Sequence, residues 1–283
     1  MSKRENVLEE KIMPVADKIA NNRYLIAIRD GFMLAMPLLI IGAMSLLIEE
    51  FPVAGYADFM AGIFGKQWGD FFLVPYHASM AIMTIFVIVG ISNSLSKHYQ
   101  QDGLSCAVIS LVSFFVLTPF VTSFTPEGSQ TAYQVGSVIP MEWIGSKGLF
   151  VGMLSAILAT EIMRYITGKG WVIKMPEGVP PTVSRAFSAL IPGAITIYVF
   201  GIIRLIFAYT SFGTIHHFIY TILQLPLVSL GDSLGAVLIA NFFIGLFWMF
   251  GIAGGDVVQS IMTPIWLALS ADNLAAFGRG QAL

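Results

Sequence analysis

Charge is almost absent from long stretches of this chain. Residues 31–48, 71–95, 104–124, 149–159, 186–203 and 234–255 contain no Asp, Glu, Lys or Arg. A helix crosses the bilayer hydrocarbon with roughly 20 apolar residues, and backbone groups there must satisfy one another without water. Composition agrees: 56% of the 283 residues are hydrophobic and 11% charged, against about 25% charged in a soluble domain. The expectation is an all-α polytopic membrane protein with about six to seven transmembrane spans, depending on how 212–230 is counted.

The placement of charge says more than its sum. Lys3, Arg4, Lys11, Lys18, Arg23 and Arg29 precede the first apolar run, and Arg164, Lys169, Lys174 and Arg185 surround the gap between the fourth and fifth. The gaps after the first and third hold only Lys66 and Lys147. Counting spans alternately puts the basic stretches on one side, which the positive-inside rule makes cytoplasmic, N-terminus included. Mixed charge and Pro14 ahead of any long apolar run are unlike a cleavable signal peptide, so the first span is expected to insert uncleaved. Leu8, Ile12, Val15 and Ile19 share one helical face. That face suits an interfacial helix or one packed on the protein's own loops.

Polar residues near the spans have mostly local readings. Cys106, the single cysteine, excludes an internal disulfide and a cysteine metal site, and reads as a buried thiol. His216 and His217 lie about 100° apart on a helix with no third ligand nearby, so no metal site is expected. With Pro226 they make 212–230 an interfacial helix on the outer side. Arg204 reads as snorkelling to the outer interface, or as lining a polar path. Glu161 and Arg164, at i and i+3, read as a local pair.

Phe250-Gly251-Ile252-Ala253-Gly254-Gly255-Asp256 closes an apolar run in a glycine cluster, and 257–269 is short and contains Pro264. Such a pattern suits the start of a re-entrant hairpin beside a substrate site, or a plain helix end leading into a loop.

The stretch from Lys174 to Gly193 is a Pro/Gly-rich turn carrying Pro176, Glu177, Gly178, Pro180 and Pro181, then Ser184 and Arg185 opening a span. As a string it resembles the cytoplasmic loop of lactose/cellobiose-type (N,N'-diacetylchitobiose-type) IIC permeases of the phosphoenolpyruvate-dependent sugar phosphotransferase system. Ala27-Ile28-Arg29-Asp30-Gly31-Phe32 running into Met36-Pro37-Leu38, Gly145-Ser146-Lys147-Gly148-Leu149-Phe150 and Trp248-Met249-Phe250-Gly251-Ile252 agree. The resemblance implies the IIC-type permease fold, in the bacterial inner membrane, as a homodimer. Its parts would be an interfacial N-terminal segment 1–30, a five-span scaffold and dimerisation portion 31–210, an interfacial helix 211–231, and the start of a sugar-transport portion 232–283. It also implies IIB and IIA partners, a β-linked disaccharide of the cellobiose, chitobiose or lactose class, and sugar contacts around Trp248, Gly251, Ala253, Gly254, Asp256 and Gln259. Phosphorylation would come from a phosphocysteine on IIB, not from Cys106.

Two departures from the family pattern shape these expectations. Family members typically read Phe-Gly-Ile-His-Gly where this chain has Ala253, which leaves Asp256 and Gln259 as the nearest polar candidates. They also continue past the position of Leu283 through further spans and a second hairpin. A truncated, non-transporting membrane scaffold is therefore the alternative expectation. An ion-coupled transporter is disfavoured by the lack of acidic residues inside the core spans. Independent enzymatic chemistry is not expected, because no nucleophile, base and orienting group converge and no phosphate loop precedes a helix. No cofactor, metal or nucleic-acid partner is expected. A reporter fused at Gly170 should be cytoplasmic; an extracellular signal would overturn the topology.

Overall fold

A computed structural model describes residues 14, 18, 20–126, 131–249 and 254–278. The predicted amphipathic face Leu8, Ile12, Val15 and Ile19 lies outside them. Helix α1, Arg23–Glu49, begins where the Asn22 side chain accepts from the amides of Tyr24 and Leu25. Asn22 thus satisfies donors that a helix start leaves orphaned. Ala27, Phe32, Ala35, Leu39 and Leu46 form its buried stripe, while Met33, Leu34, Ile40, Ile41 and Met44 on the other side are exposed, as a lipid-facing surface requires.

The chain returns through two short helices, α2 (Tyr56–Phe64) and α3 (Asp70–His77), and a 3-10 turn into α4, Met83–His98. Helices α1 and α4 meet almost backbone to backbone. A Cβ on Gly90 would sit 2.6 Å from Gly31 Cα and 3.0 Å from its carbonyl oxygen. Such small-residue contacts let membrane helices gain dispersion energy without a hydrophobic driving force.

Helix α5, Gly103–Leu117, is shorter than the apolar run 104–124 predicts. Thr118 adopts an extended conformation ahead of Pro119, whose ring disfavours helix in the preceding residue. The remainder forms a hairpin of β1 (Val121–Phe124) and β2 (Tyr133–Gly136), with Val121 opposite Gly136. Arg204 Nη1 donates to the carbonyls of Val116 at 2.7 Å and Thr118 at 3.1 Å. It therefore closes the end of α5, where helix carbonyls lack partners.

After a short α6 (Met141–Ile144) and a 3-10 turn, α7 (Leu149–Gly168) packs against α4 and α5, and α8 (Pro181–Ala208) opens with Pro181 in its first turn. Glu161 and Arg164 pair at 2.8 Å on α7. The same carboxylate also accepts from Tyr24 of α1, at 3.1 Å, and from Tyr99 at the end of α4. Arg23 and Arg164 both lie over the Tyr99 ring. Charged and aromatic residues from three segments thus tie one end of the bundle. Across the bundle, Thr84 Oγ1 donates to Gly145 O at 2.7 Å.

Helices α9 (Ile215–Ile219) and α10 (Leu225–Gly231), joined by a π turn, bend by 80° into α11, Leu234–Met249. Helix α12, Gly254–Gly278, packs along α11 with Ala240, Phe247 and Val258 buried between them. It continues through Pro264, where the sequence suggested a break. Pro264 is itself buried, and packing of this kind makes a helical proline tolerable at membrane depth.

By length and composition, four segments can cross a bilayer: Arg23–Glu49, Asp70–His98, Ser146–Gly168 and Pro181–Ala208. The bent pair Ile215–Gly231 and Leu234–Trp248 and the shorter Gly103–Leu117 add to them. Gly90→Ala should wedge α1 from α4 and cost about 1–3 kcal/mol. Gly62→Ala on α2, with open space around it, should leave the melting temperature in detergent unchanged or slightly raised.

Candidate functional site

The hairpin of α11 and α12 walls a cavity of ≈ 570 Å³ with the end of α10. Gly231 makes this possible: a Cβ there would lie 2.5 Å from Ile265 Cγ2, so only glycine lets α10 press onto α12. Ser233 then caps α11 by accepting from the Ala236 amide at 3.1 Å. The polar lining is Asp232, Ser233, Asn241, Gln259, Trp266, Ser270 and Asn273. Asn241 Nδ2 is held by Val237 O at 2.8 Å, which fixes the amide and leaves its oxygen as an acceptor. Trp266 Nε1 is buried with no partner among the described residues.

One tryptophan face, three carboxamides, two hydroxyls and one carboxylate suit a neutral, many-hydroxyl ligand: apolar ring faces stack on the indole and hydroxyls pair with amides. The cavity volume lies within the range of about 300–1,000 Å³ usual for small-molecule sites.

Of the residues expected from sequence, Gln259 lies in this lining. Trp248 is on α11 but 62% exposed and does not line the cavity. Gly254 and Asp256 lie in the first turn of α12, and Gly251 and Ala253 fall outside the described residues. Sequence reasoning missed Asn241, Trp266, Ser270 and Asn273. Their signal was present: Gln259, Trp266, Ser270 and Asn273 follow at steps of seven, four and three, one helical face, visible once Pro264 is not taken as a break.

The loop motif lies elsewhere. Gly178 has a left-handed φ of 97°, Pro180 precedes α8, the Ser184 amide donates to Pro180 O at 3.1 Å, and Arg185 Nη1 stands 3.8 Å from Asp102 Oδ1. Pro176 and Glu177 lead into this turn. A separate cavity of ≈ 230 Å³ lies here, walled by Asp102, Arg185 and the buried Cys106 among others. It shares no lining residue with the α11–α12 cavity. Asp102 caps α5, accepting from the Ser105 hydroxyl and from its amide at 2.9 Å. Those bonds, with Arg185, hold its carboxyl below the usual range. His216 is buried, ringed by Phe114 and Trp143, with Nε2 3.4 Å from Thr118 Oγ1.

Apolar helices long enough to span a bilayer, enclosing a partly polar cavity, define a polytopic helical membrane protein. The sequence model described as "Phosphotransferase system, EIIC" matches residues 29–283, and the chain belongs to that family. It is 47% identical over its whole length to the putative permease IIC component YwbA of Bacillus subtilis (strain 168), of which it covers 64%. Over 96% of its length it is 45% identical to the cellobiose-specific EIIC component of Geobacillus stearothermophilus, covering 60% of that protein. The crystal structure of the transporter ChbC, the IIC component of an N,N'-diacetylchitobiose-specific phosphotransferase system, superposes with a TM-score of 0.92 at 45% identity, over 98% of this chain and 64% of that one. The chain thus spans less than two thirds of the length of each.

Asp102→Ala should remove the α5 cap and cost about 0.5–2 kcal/mol, with Asp102→Asn, another good cap, retaining most of it. Because the folded carboxyl is the stronger acid, its contribution is full at neutral pH and lost as pH falls through the lowered value; Asp102→Asn should flatten that acid limb in thermal melts.

Proposed function

We propose that this chain acts as the membrane-embedded IIC component of a phosphoenolpyruvate-dependent sugar phosphotransferase system, carrying a β-linked disaccharide of the cellobiose or chitobiose class to a IIB partner recharged by IIA. The observation that carries the reading is the amide- and indole-lined cavity of the α11–α12 hairpin in a chain of this family. The names of the cellobiose-specific relative and of ChbC support the sugar class. In this reading Gln259, Asn241 and Asn273 pair with sugar hydroxyls and Trp266 stacks on a pyranose ring. The sugar contacts expected at Trp248, Gly254 and Asp256 lie at the facing ends of α11 and α12, while Gly251 and Ala253 fall outside the described residues. With alanine at 253, hydrogen bonding to the sugar falls to the amides.

The setting is the bacterial cell membrane with the N-terminus and the Pro176–Arg185 loop cytoplasmic. Support comes from the meeting of Arg23, Tyr99 and Arg164, and of Asp102 with Arg185, at the ends of helices that the charge pattern assigns to that side. Residues 31–210 form the scaffold, and two copies associate through its lipid-facing helices. The sugar is phosphorylated by IIB, and this chain supplies binding and passage only.

Radiolabelled cellobiose uptake by cells expressing the chain with IIA and IIB should saturate and should vanish without IIB. Asn241→Ala and Gln259→Ala should each weaken it by roughly two- to tenfold, the worth of one hydrogen bond. No uptake, or uptake indifferent to IIB, would overturn the reading in favour of a non-transporting scaffold.

A further inference from the structure

A second cavity, of ≈ 550 Å³, lies where the scaffold meets α12. Tyr76, His77, Glu142, Lys147, Tyr220 and Asp272 supply its main side chains. Its place in the fold follows from the helices. The Glu161 cluster ties the start of α1, the end of α4 and the end of α7, whereas this cavity is walled by residues just before α4 and just before α7. With α7 about 30 Å long at 1.5 Å per residue, it sits at the opposite end of the scaffold from the basic loop. We propose that it is an outward-facing waiting site that takes up the same sugar before it reaches the α11–α12 cavity; the choice of ligand rests on the function proposed above.

The chemistry of the lining selects the ligand class. Lys147 Nζ pairs with Glu142 Oε2 at 3.1 Å and lies 5.7 Å over the Tyr220 ring, so the positive charge is already matched. Asp272 adds a second carboxylate against the one Lys147 ammonium, so the acidic and lysine side chains of the lining leave no surplus positive charge for an anion. Among the described residues no group of His, Cys, Asp and Glu is arranged to hold a metal ion. Tyr76 and Tyr220 offer ring faces for pyranose C–H groups, and Glu142 and Asp272 offer carboxylate oxygens, each of which accepts from neighbouring hydroxyls. A neutral sugar uses all of these at once.

The position gives the site its role. In one turn of α12, Leu269, Ser270 and Asn273 line the first cavity while Ala271 and Asp272 line the second. The two are in series with a single helical turn as their shared wall. That turn is fastened to the scaffold by Ser146 Oγ, which donates to Asp272 Oδ1 at 2.7 Å, and Ser146 O in turn accepts from Gln224 Nε2 at 3.0 Å. A sugar hydroxyl arriving at Asp272 competes with the Ser146 hydroxyl for the carboxylate, while Ile265 and Ala268 keep α12 seated in the core.

The test uses Ala271→Cys, which places a thiol in the cavity without removing a polar group; native Cys106 is buried. In intact cells a membrane-impermeant maleimide applied from outside should label it. Saturating cellobiose should slow labelling about tenfold or more, as expected if the cavity is more than nine-tenths occupied. Adding Asn241→Ala and Gln259→Ala should cut uptake by roughly four- to a hundredfold yet leave the protection, whereas adding Glu142→Gln or Asp272→Asn should reduce the protection. Labelling that is absent from outside, or unchanged by cellobiose in cells that still take the sugar up, overturns the waiting site and leaves the permease reading intact. Absence of both uptake and protection overturns both.

Discussion

Two helices in a bilayer gain little by hiding apolar side chains from each other, since lipid is as apolar as leucine; what they gain is contact. In this scaffold Gly31 of α1 meets Gly90 of α4 backbone to backbone. With those backbones together, Val87 and Ile91 pack fully buried, and α4 presents Thr84 and Ile88 to α7 at Gly152, where a Cβ would lie 2.5 Å from Thr84 Cγ2. The Thr84 bond to Gly145 O then holds the turn that carries Ser146 and Lys147. A close approach near the middle of the bundle therefore sets the geometry of the cavity at its end.

Polar bonding is concentrated where it does different work. At the basic end the Glu161 carboxylate collects tyrosines and an arginine from three segments. Charge-assisted bonds of this kind are short and directional, and they lock helix ends whose apolar faces alone would slide. At the opposite end α12 is held to the scaffold by packing on α1 and by the exposed bond of Ser146 to Asp272, and Gly231 lets α10 press onto it at Ile265. That bond is exposed, but the seat of α12 is also apolar: Ile265 and Ala268 are buried in the same core as Phe32 and Ala35 of α1.

The cavity of the hairpin also shows how a membrane protein accommodates polar groups with little charge, Asp232 being the one carboxylate of its lining. Carboxamides at Asn241, Gln259 and Asn273 bear full donor and acceptor sets at modest desolvation cost, and Asn241 is satisfied on its donor side by its own helix. Trp266 joins Leu234, Val237, Ile244 and Leu269 in the apolar part of the lining.

Much of this protein was legible in the order of its residues. Uncharged runs near 31–48, 71–95 and 186–203 marked membrane helices, because hydropathy is a property of each local stretch and the bilayer imposes the same demand on every one. The string around Pro176 to Arg185 identified the family, and Gln259 was found as a polar residue beside a glycine cluster. Other features needed the third dimension. Helix α5 stops at Leu117 because of Pro119, yet α12 runs through Pro264; what distinguishes the two prolines is the packing around them, not their identity. Asn241 meets Trp266, and Asp272 meets Ser146, through the register of an antiparallel hairpin and its seat on the scaffold. The sequence alone determined what each segment must be surrounded by, while only the tertiary structure decided which polar side chains face one another, because that depends on contacts between residues far apart in the chain.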